Sequence, residues 1–229
     1  DGNDASTITI LGDSNTLDNA DRGNDKIIAI GNNNVLRAGR GNDLIHVLGN
    51  GNTIAAERDS DLIVVTGNGN TIGAGRDGDP LVVVRGNGNT VEGKQGVDRI
   101  TFAGISNTIT GDQEIDTFVP AYKNFDSSSM DSATITDYES NEPIDFTDFT
   151  CAGMNMYNLG LRANSDPNNL DLVVYADGMT ANDGGDCFNK VIITLNGVTL
   201  TDVMSGFIVN IVNPGCLNEV AMPTFPVCM

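Results

Sequence analysis

The sequence predicts an all-β chain. Residues 1–120 read as a parallel β-roll or β-solenoid with coils of 18–19 residues, and residues 121–229 as a small β-rich C-terminal domain. Two interleaved residue series and one compositional fact predict this. The first series is Asp25, Asp43, Asp61, Asp79, Asp98 and Asp116, each two residues before an apolar one (Ile27, Ile45, Ile63, Leu81, Ile100, Phe118). The second is Asn15, Asn34, Asn52, Asn70, Asn89 and Asn107, again two before Leu17, Leu36, Ile54, Ile72, Val91 and Ile109. Spacing within each series is 18 or 19, and the series are nine or ten residues apart. So short a period has no room for a helical hairpin, but fits a coil of two short strands. The third observation is a chain with 27 Gly, no Trp and few aromatics, which leaves stacked strands and turn chemistry to supply much of the stability.

Each Asp half-turn runs into a strand in which side chains alternate. The inward positions are read as Ile27, Ile45, Ile63, Leu81 and Ile100, with Ala29, Val47, Val65, Val83 and Phe102. The outward positions then include Ile28, Leu44, Leu62, Val64, Pro80 and Val82, a contiguous apolar strip on a face that should meet water. Such strips mark interfaces. Here the interface is with the second half of the chain or with another copy, as a homo-oligomer or filament built through the strip and the open solenoid end. In the Asn half-turns the outward column is Thr16, Thr53, Thr71, Thr90 and Thr108. Regular threonine rows can bind ice, but the adjacent column (Asp18, Arg37, Ala55, Gly73, Glu92, Thr110) is neither flat nor uniform.

Beyond residue 120 the period is lost. Alternating runs at Ala133–Tyr138, Leu170–Tyr175, Val191–Leu195, Gly197–Leu200 and Gly206–Val212 predict strands, with a helical turn near Thr201–Gly206. The tail from Asn213 to Met229 reads as an irregular stapled segment. Cys151, Cys187, Cys216 and Cys228 all fall in this half, none at a Cys-x-x-Cys spacing, so two disulfides are expected rather than zinc. The chain opens at Asp1 inside a degenerate repeat and carries no signal peptide; it reads as a piece of a longer protein.

The best Asp half-turn, Ala38-Gly39-Arg40-Gly41-Asn42-Asp43-Leu44-Ile45, sets glycines where a tight turn needs left-handed backbone. Carbonyls and a carboxylate from successive coils then make an all-oxygen cage, which suits a hard cation such as Ca2+. The Asn half-turns lack the carboxylate; their stacked amides can satisfy one another without an ion. In other copies Asp21, Glu57, Lys94 and Asp112 replace the second glycine, and Asp59, Asp77 and Glu114 the third. Arg22, Arg40, Arg58 and Arg76 form a further column, either solvated or paired with the Asp row in place of calcium.

These half-turns resemble the G-G-x-G-x-D-x-U-x nonapeptide repeats of RTX proteins. Asp137–Phe149 and Ile192–Val209, with Leu195-Asn196-Gly197-Val198-Thr199-Leu200, are similar to segments of type I secretion target domains. The resemblance implies a calcium-bound parallel β-roll. Its metal carboxylates would be Asp25, Asp43, Asp61, Asp79, Asp98 and Asp116, and its export would need no N-terminal signal peptide.

With 31 acidic against 12 basic residues, the net charge of -19 repels nucleic acid and anionic membrane surfaces. No apolar run is long enough to span a membrane. No catalytic constellation stands out: His46, the single histidine, lies on an outward strand position with no nucleophile at motif spacing. The expected function is non-enzymatic: a secreted, calcium-stabilised solenoid with a structural or surface-assembly role in an extracellular filament, layer or matrix. The alternatives are the secretion region of a hydrolase, or an ice- or glycan-binding adhesin region.

Overall fold

A computed structural model describes residues 4–18, 20, 22–121, 131–146, 157–176, 189–204, 210–212 and 217–219. Strands β1 (Thr7–Leu11), β2 (Thr16–Asp18), β3 (Lys26–Ile30), β4 (Val35–Arg40), β5 (Leu44–Leu48), β6 (Thr53–Arg58), β7 (Leu62–Thr66) and β8 (Thr71–Gly75) alternate between two parallel sheets. So do β9 (Leu81–Arg85), β10 (Thr90–Lys94), β11 (Arg99–Ala103), β12 (Asn107–Asp112), β13 (Thr117–Pro120), β14 (Asp131–Ile135) and β15 (Pro143–Asp145). Odd-numbered strands stack in the first sheet and even-numbered ones in the second, giving a β-solenoid of about six coils. Rungs recur every 18 or 19 residues, as the spacing predicts.

Two inward side chains per strand fill the space between the sheets. Ile27, Ile45, Ile63, Ile100 and Phe118 stack from the first sheet against Leu36, Ile54, Ile72, Val91 and Ile109 from the second, all buried. One coil departs from the expected register. Leu62 pairs with Leu81 and Ile63 with Val82, so the inward residues there are Val82 and Val84, not Leu81 and Val83. The cause is Pro80. Leu44 and Leu62 each donate their N–H to the Asp carbonyl of the preceding coil at 2.8 Å; proline has no N–H to give. Pro80 is therefore extra to the ladder, and alternation resumes one residue later. The outer strip is corrected accordingly: Leu81 and Val83 continue it, and Val82 is core.

The Asn-side turns show why glycine recurs there. Gly49 has a φ of 145°, and a Cβ on it would lie 1.9 Å from the Gly31 carbonyl oxygen one coil below. The expected threonine column is present: Thr53, Thr71, Thr90 and Thr108 are in register on the outer face of the second sheet, beside Ala55, Gly73, Glu92 and Thr110.

Past residue 120 both sheets continue. Strands β16 (Tyr157–Ala163), β17 (Asn169–Ala176), β18 (Asn189–Asn196) and β20 (Leu217–Glu219) extend the second sheet, and β19 (Asn210–Val212) extends the first beside β15. Among the described residues, pairing turns antiparallel only at β16–β17 and β17–β18. The strands expected over Leu170–Tyr175 and Val191–Leu195 are β17 and β18. Gly197–Leu200 is instead a turn that leads into helix α1 (Leu200–Met204), because the Thr199 hydroxyl and the Asp202 carboxylate bond each other's N–H and cap that helix. All four cysteines, and with them the expected disulfides, lie outside the described residues.

Candidate functional site

Two buried ladders run along the solenoid, one at each edge. In the Asn ladder, Oδ1 of each rung accepts the backbone N–H of the rung before it, as Asn70 does from Asn52 at 2.8 Å. The Asn52 amide nitrogen also donates to Asn70 Oδ1 at 3.1 Å, and the same pair of bonds recurs from Asn70 to Asn89 and from Asn89 to Asn107. From Asn52 to Asn107 stacked amides thus satisfy one another, whereas the Asn34 amide nitrogen is buried without a partner.

The Asp ladder has the same backbone half and lacks the other. Asp43 Oδ1 accepts the Asp25 N–H at 2.7 Å, Asp61 that of Asp43 at 2.7 Å, Asp79 that of Asp61 at 2.6 Å, and Asp98 and Asp116 continue the series. Asp25 takes the Ser6 N–H at 2.7 Å. Where each Asn has a donor nitrogen, each Asp has a second oxygen. Oδ2 of Asp25, Asp43, Asp61, Asp79, Asp98 and Asp116 is buried with no hydrogen-bond partner. All six side chains named by the sequence are therefore brought into one buried column.

Electrostatics follow from that burial. Desolvation raises Asp61 to about 8; the Asp43 N–H opposes it, and the charges of Asp79, Asp43 and Asp59 add to it. Burial likewise raises Asp43 and Asp79 to about 6 and Asp98 and Asp116 to about 7. Burial and the like charges of neighbouring acids thus both disfavour the ionised form along the column. A positive charge beside an ionised rung would favour it.

The Arg column does not provide it. Arg22, Arg40, Arg58 and Arg76 are exposed. Among the described residues the salt bridges are Arg37–Asp18, Lys94–Glu92 and Arg99–Asp145, none of which reaches the column. The acids at the third turn position have a backbone role. Asp59 accepts the Gly41 N–H at 2.9 Å, Asp77 that of Asp59 at 3.0 Å, and Glu114 that of Gly96 at 2.7 Å. The replaced glycines keep the left-handed conformation at Glu57, Asp59, Lys94, Asp112 and Glu114, with φ from 71° to 85°.

One rung is not in the Asp series. Glu142, almost wholly buried, takes the N–H of Asp116 and, at 2.7 Å, that of Glu139, and burial raises it to about 7. Ile144 pairs with Phe118, so Glu142 stands two residues before an inward apolar side chain, as each Asp does. The same spacing stands in the sequence, but its 26-residue gap from Asp116 departs from the 18–19-residue period. A second ladder was also missed. On the outside of the Asn turns, Asn32, Asn50, Asn68 and Asn87 accept the N–H of the following coil at 2.8–2.9 Å.

A hard cation fits the column on one count: six orphaned buried carboxylate oxygens in a row. Among the described residues no three acidic, His or Cys side chains converge on one point. A cation between rungs would thus take one or two carboxylates and need carbonyl oxygens to fill its shell. His46 lies half-buried on the outer face of the first sheet, between Ile28 and Val64. No helix among the described residues is long and apolar enough to cross a membrane.

The model of a family described as a protein of unknown function (DUF3060) matches residues 30–88, which lie wholly within the solenoid. No curated protein matches the chain. The fold is that of a parallel β-roll repeat protein.

Proposed function

We propose that the chain is a non-enzymatic structural module of a secreted protein, a β-roll of RTX type whose acid column is neutralised by calcium and which serves in an extracellular filament, layer or matrix. The observation that carries this is the column of orphaned Oδ2 atoms from Asp25 to Asp116. Calcium, when bound, supplies positive charge to oxygens that find no other donor. Asp25, Asp43, Asp61, Asp79, Asp98 and Asp116 would hold it, with Glu142 as the end rung. The chain's own contribution is a rigid stack that keeps the carboxylates aligned and out of water. A structural role accords with a fold made of repeated coils, in which each unit is buried only by its neighbours. Export by a type I route is supported by the sequence likeness of the second half to secretion target domains.

A second reading is favoured by the Asn ladder. A protonated Asp has an O–H where Asn has its N–H, so protons shared along the column would complete it without metal. Calorimetric titration of the chelator-treated chain with CaCl2 and with MgCl2, beside thermal melts at pH 5 and pH 8, separates the two. Heat with calcium and a raised Tm at pH 8 is the expected result. No heat at either pH, with a Tm that depends on pH alone, would leave protons as the neutralising partner.

A further inference from the structure

We infer that the uncovered part of the first sheet's outer face binds a second copy of this chain, face to face. This rests on the assembly reading above and names its contact surface.

Strands β1, β3, β5, β7, β9 and β11 contain no Asp or Glu, in a chain that carries 31 of them. The second sheet has no such restriction: Asp18, Glu57, Glu92 and Asp112 lie in its strands. The acid-free face is also where exposed apolar side chains gather. Leu11 is 71% exposed, Ile30 46%, Leu44 and Leu62 40% and Leu48 37%. Leu11, Ile30 and Leu48 form one column and Leu44 and Leu62 another, on either side of the middle column Ile28, His46 and Val64.

The same face is interior further along. In the middle column Ile28, His46 and Val64 are half-buried, whereas Val83 and Thr101 are only 6% exposed and Val119 0%. The chain itself therefore covers this face from Val83 onward. The first acid on it is Asp145, which is bound to Arg99 at 2.9 Å. The uncovered part continues a surface already used for packing.

Charge selects the occupant. Two copies at -19 each repel across acidic surfaces. Here the strands offer Leu, Ile, Val and Thr with Lys26, His46, Arg85 and Arg99, so approach meets no carboxylate. On a two-fold axis such a patch meets its own copy. Four strands about 4.8 Å apart and five residues of about 3.3 Å give roughly 300 Å2 per copy. That is less than half of the about 800 Å2 that each partner buries in a stable dimer, so the pairing is weak in free solution and strengthened when copies are tethered.

The test is sedimentation equilibrium of the full chain over a wide concentration series, wild type against two double variants. Leu44→Lys with Leu62→Lys sets like charges in the contact. Ile30→Thr with Leu48→Thr removes apolar surface but keeps strand-forming residues, and decides the matter should the lysine variant fail to fold. A reversible dimer in wild type, weakened at least about tenfold in the folded variants, is the expected result. Self-association unchanged by the threonine pair overturns this inference and leaves assembly to another surface, such as the solenoid end. A wild type that stays monomeric throughout overturns both. Flotation of a monomeric chain with phosphatidylcholine vesicles would replace the second copy by a lipid surface.

Discussion

Asp61 accepts the Asp43 N–H at 2.7 Å through Oδ1 and leaves its Oδ2 buried without a donor, whereas the amide of Asn52, at the opposite edge, donates to Asn70 at 3.1 Å. Replacing that one oxygen by an NH2 group should therefore stabilise the chelated protein. We expect Asp61→Asn to gain about 1–3 kcal/mol at pH 7 in chelator, the cost of an unsatisfied buried group, and to lose part of the calcium-induced rise in Tm. Urea unfolding with and without calcium checks both signs.

The pH dependence of the metal-free chain follows from the raised carboxyls. Folded-state values of about 6 for Asp43 and Asp79, about 7 for Asp98 and Asp116 and about 8 for Asp61 lie above the ordinary 3.8. Between the two the folded state holds more protons than the unfolded one, so stability falls as pH rises. Tm in chelator should drop steadily from about pH 4 to about pH 8, and calcium should flatten that slope. A Tm that rises over this interval in chelator would contradict the buried, unpaired column.

Glu142 closes the column. Glu142→Ala removes the acceptor of the Asp116 and Glu139 N–H groups and should cost about 2–4 kcal/mol, whereas Glu142→Gln keeps an acceptor and should cost less than about 1 kcal/mol. Chemical denaturation of the pair measures the difference.

The Pro80 shift has its own signature. Val82→Ala should cost about 1–3 kcal/mol, since Val82 is wholly buried, while Leu81→Ala on the outer face should cost less than about 1 kcal/mol. The opposite order would restore the unshifted register.

The two residue series legible in the sequence carried the parallel coils, the inward apolar columns and the six aspartates, because a short-period coil stacks equivalent residues by necessity. Ile27, Ile45, Ile63 and Leu36 are core because they stand two after a ladder residue, and no distant contact was needed to place them. Three things needed the tertiary structure to be placed. The Pro80 shift depends on an N–H absent from one rung, which a periodic count does not weigh. The Glu142 rung depends on how the chain returns after 26 residues, a length set by the path between coils rather than by the repeat. The orphaned Oδ2 atoms depend on which way each carboxylate turns within its rung: a sequence shows Asp where Asn also fits, but only packing decides that one oxygen meets a backbone N–H and the other meets nothing.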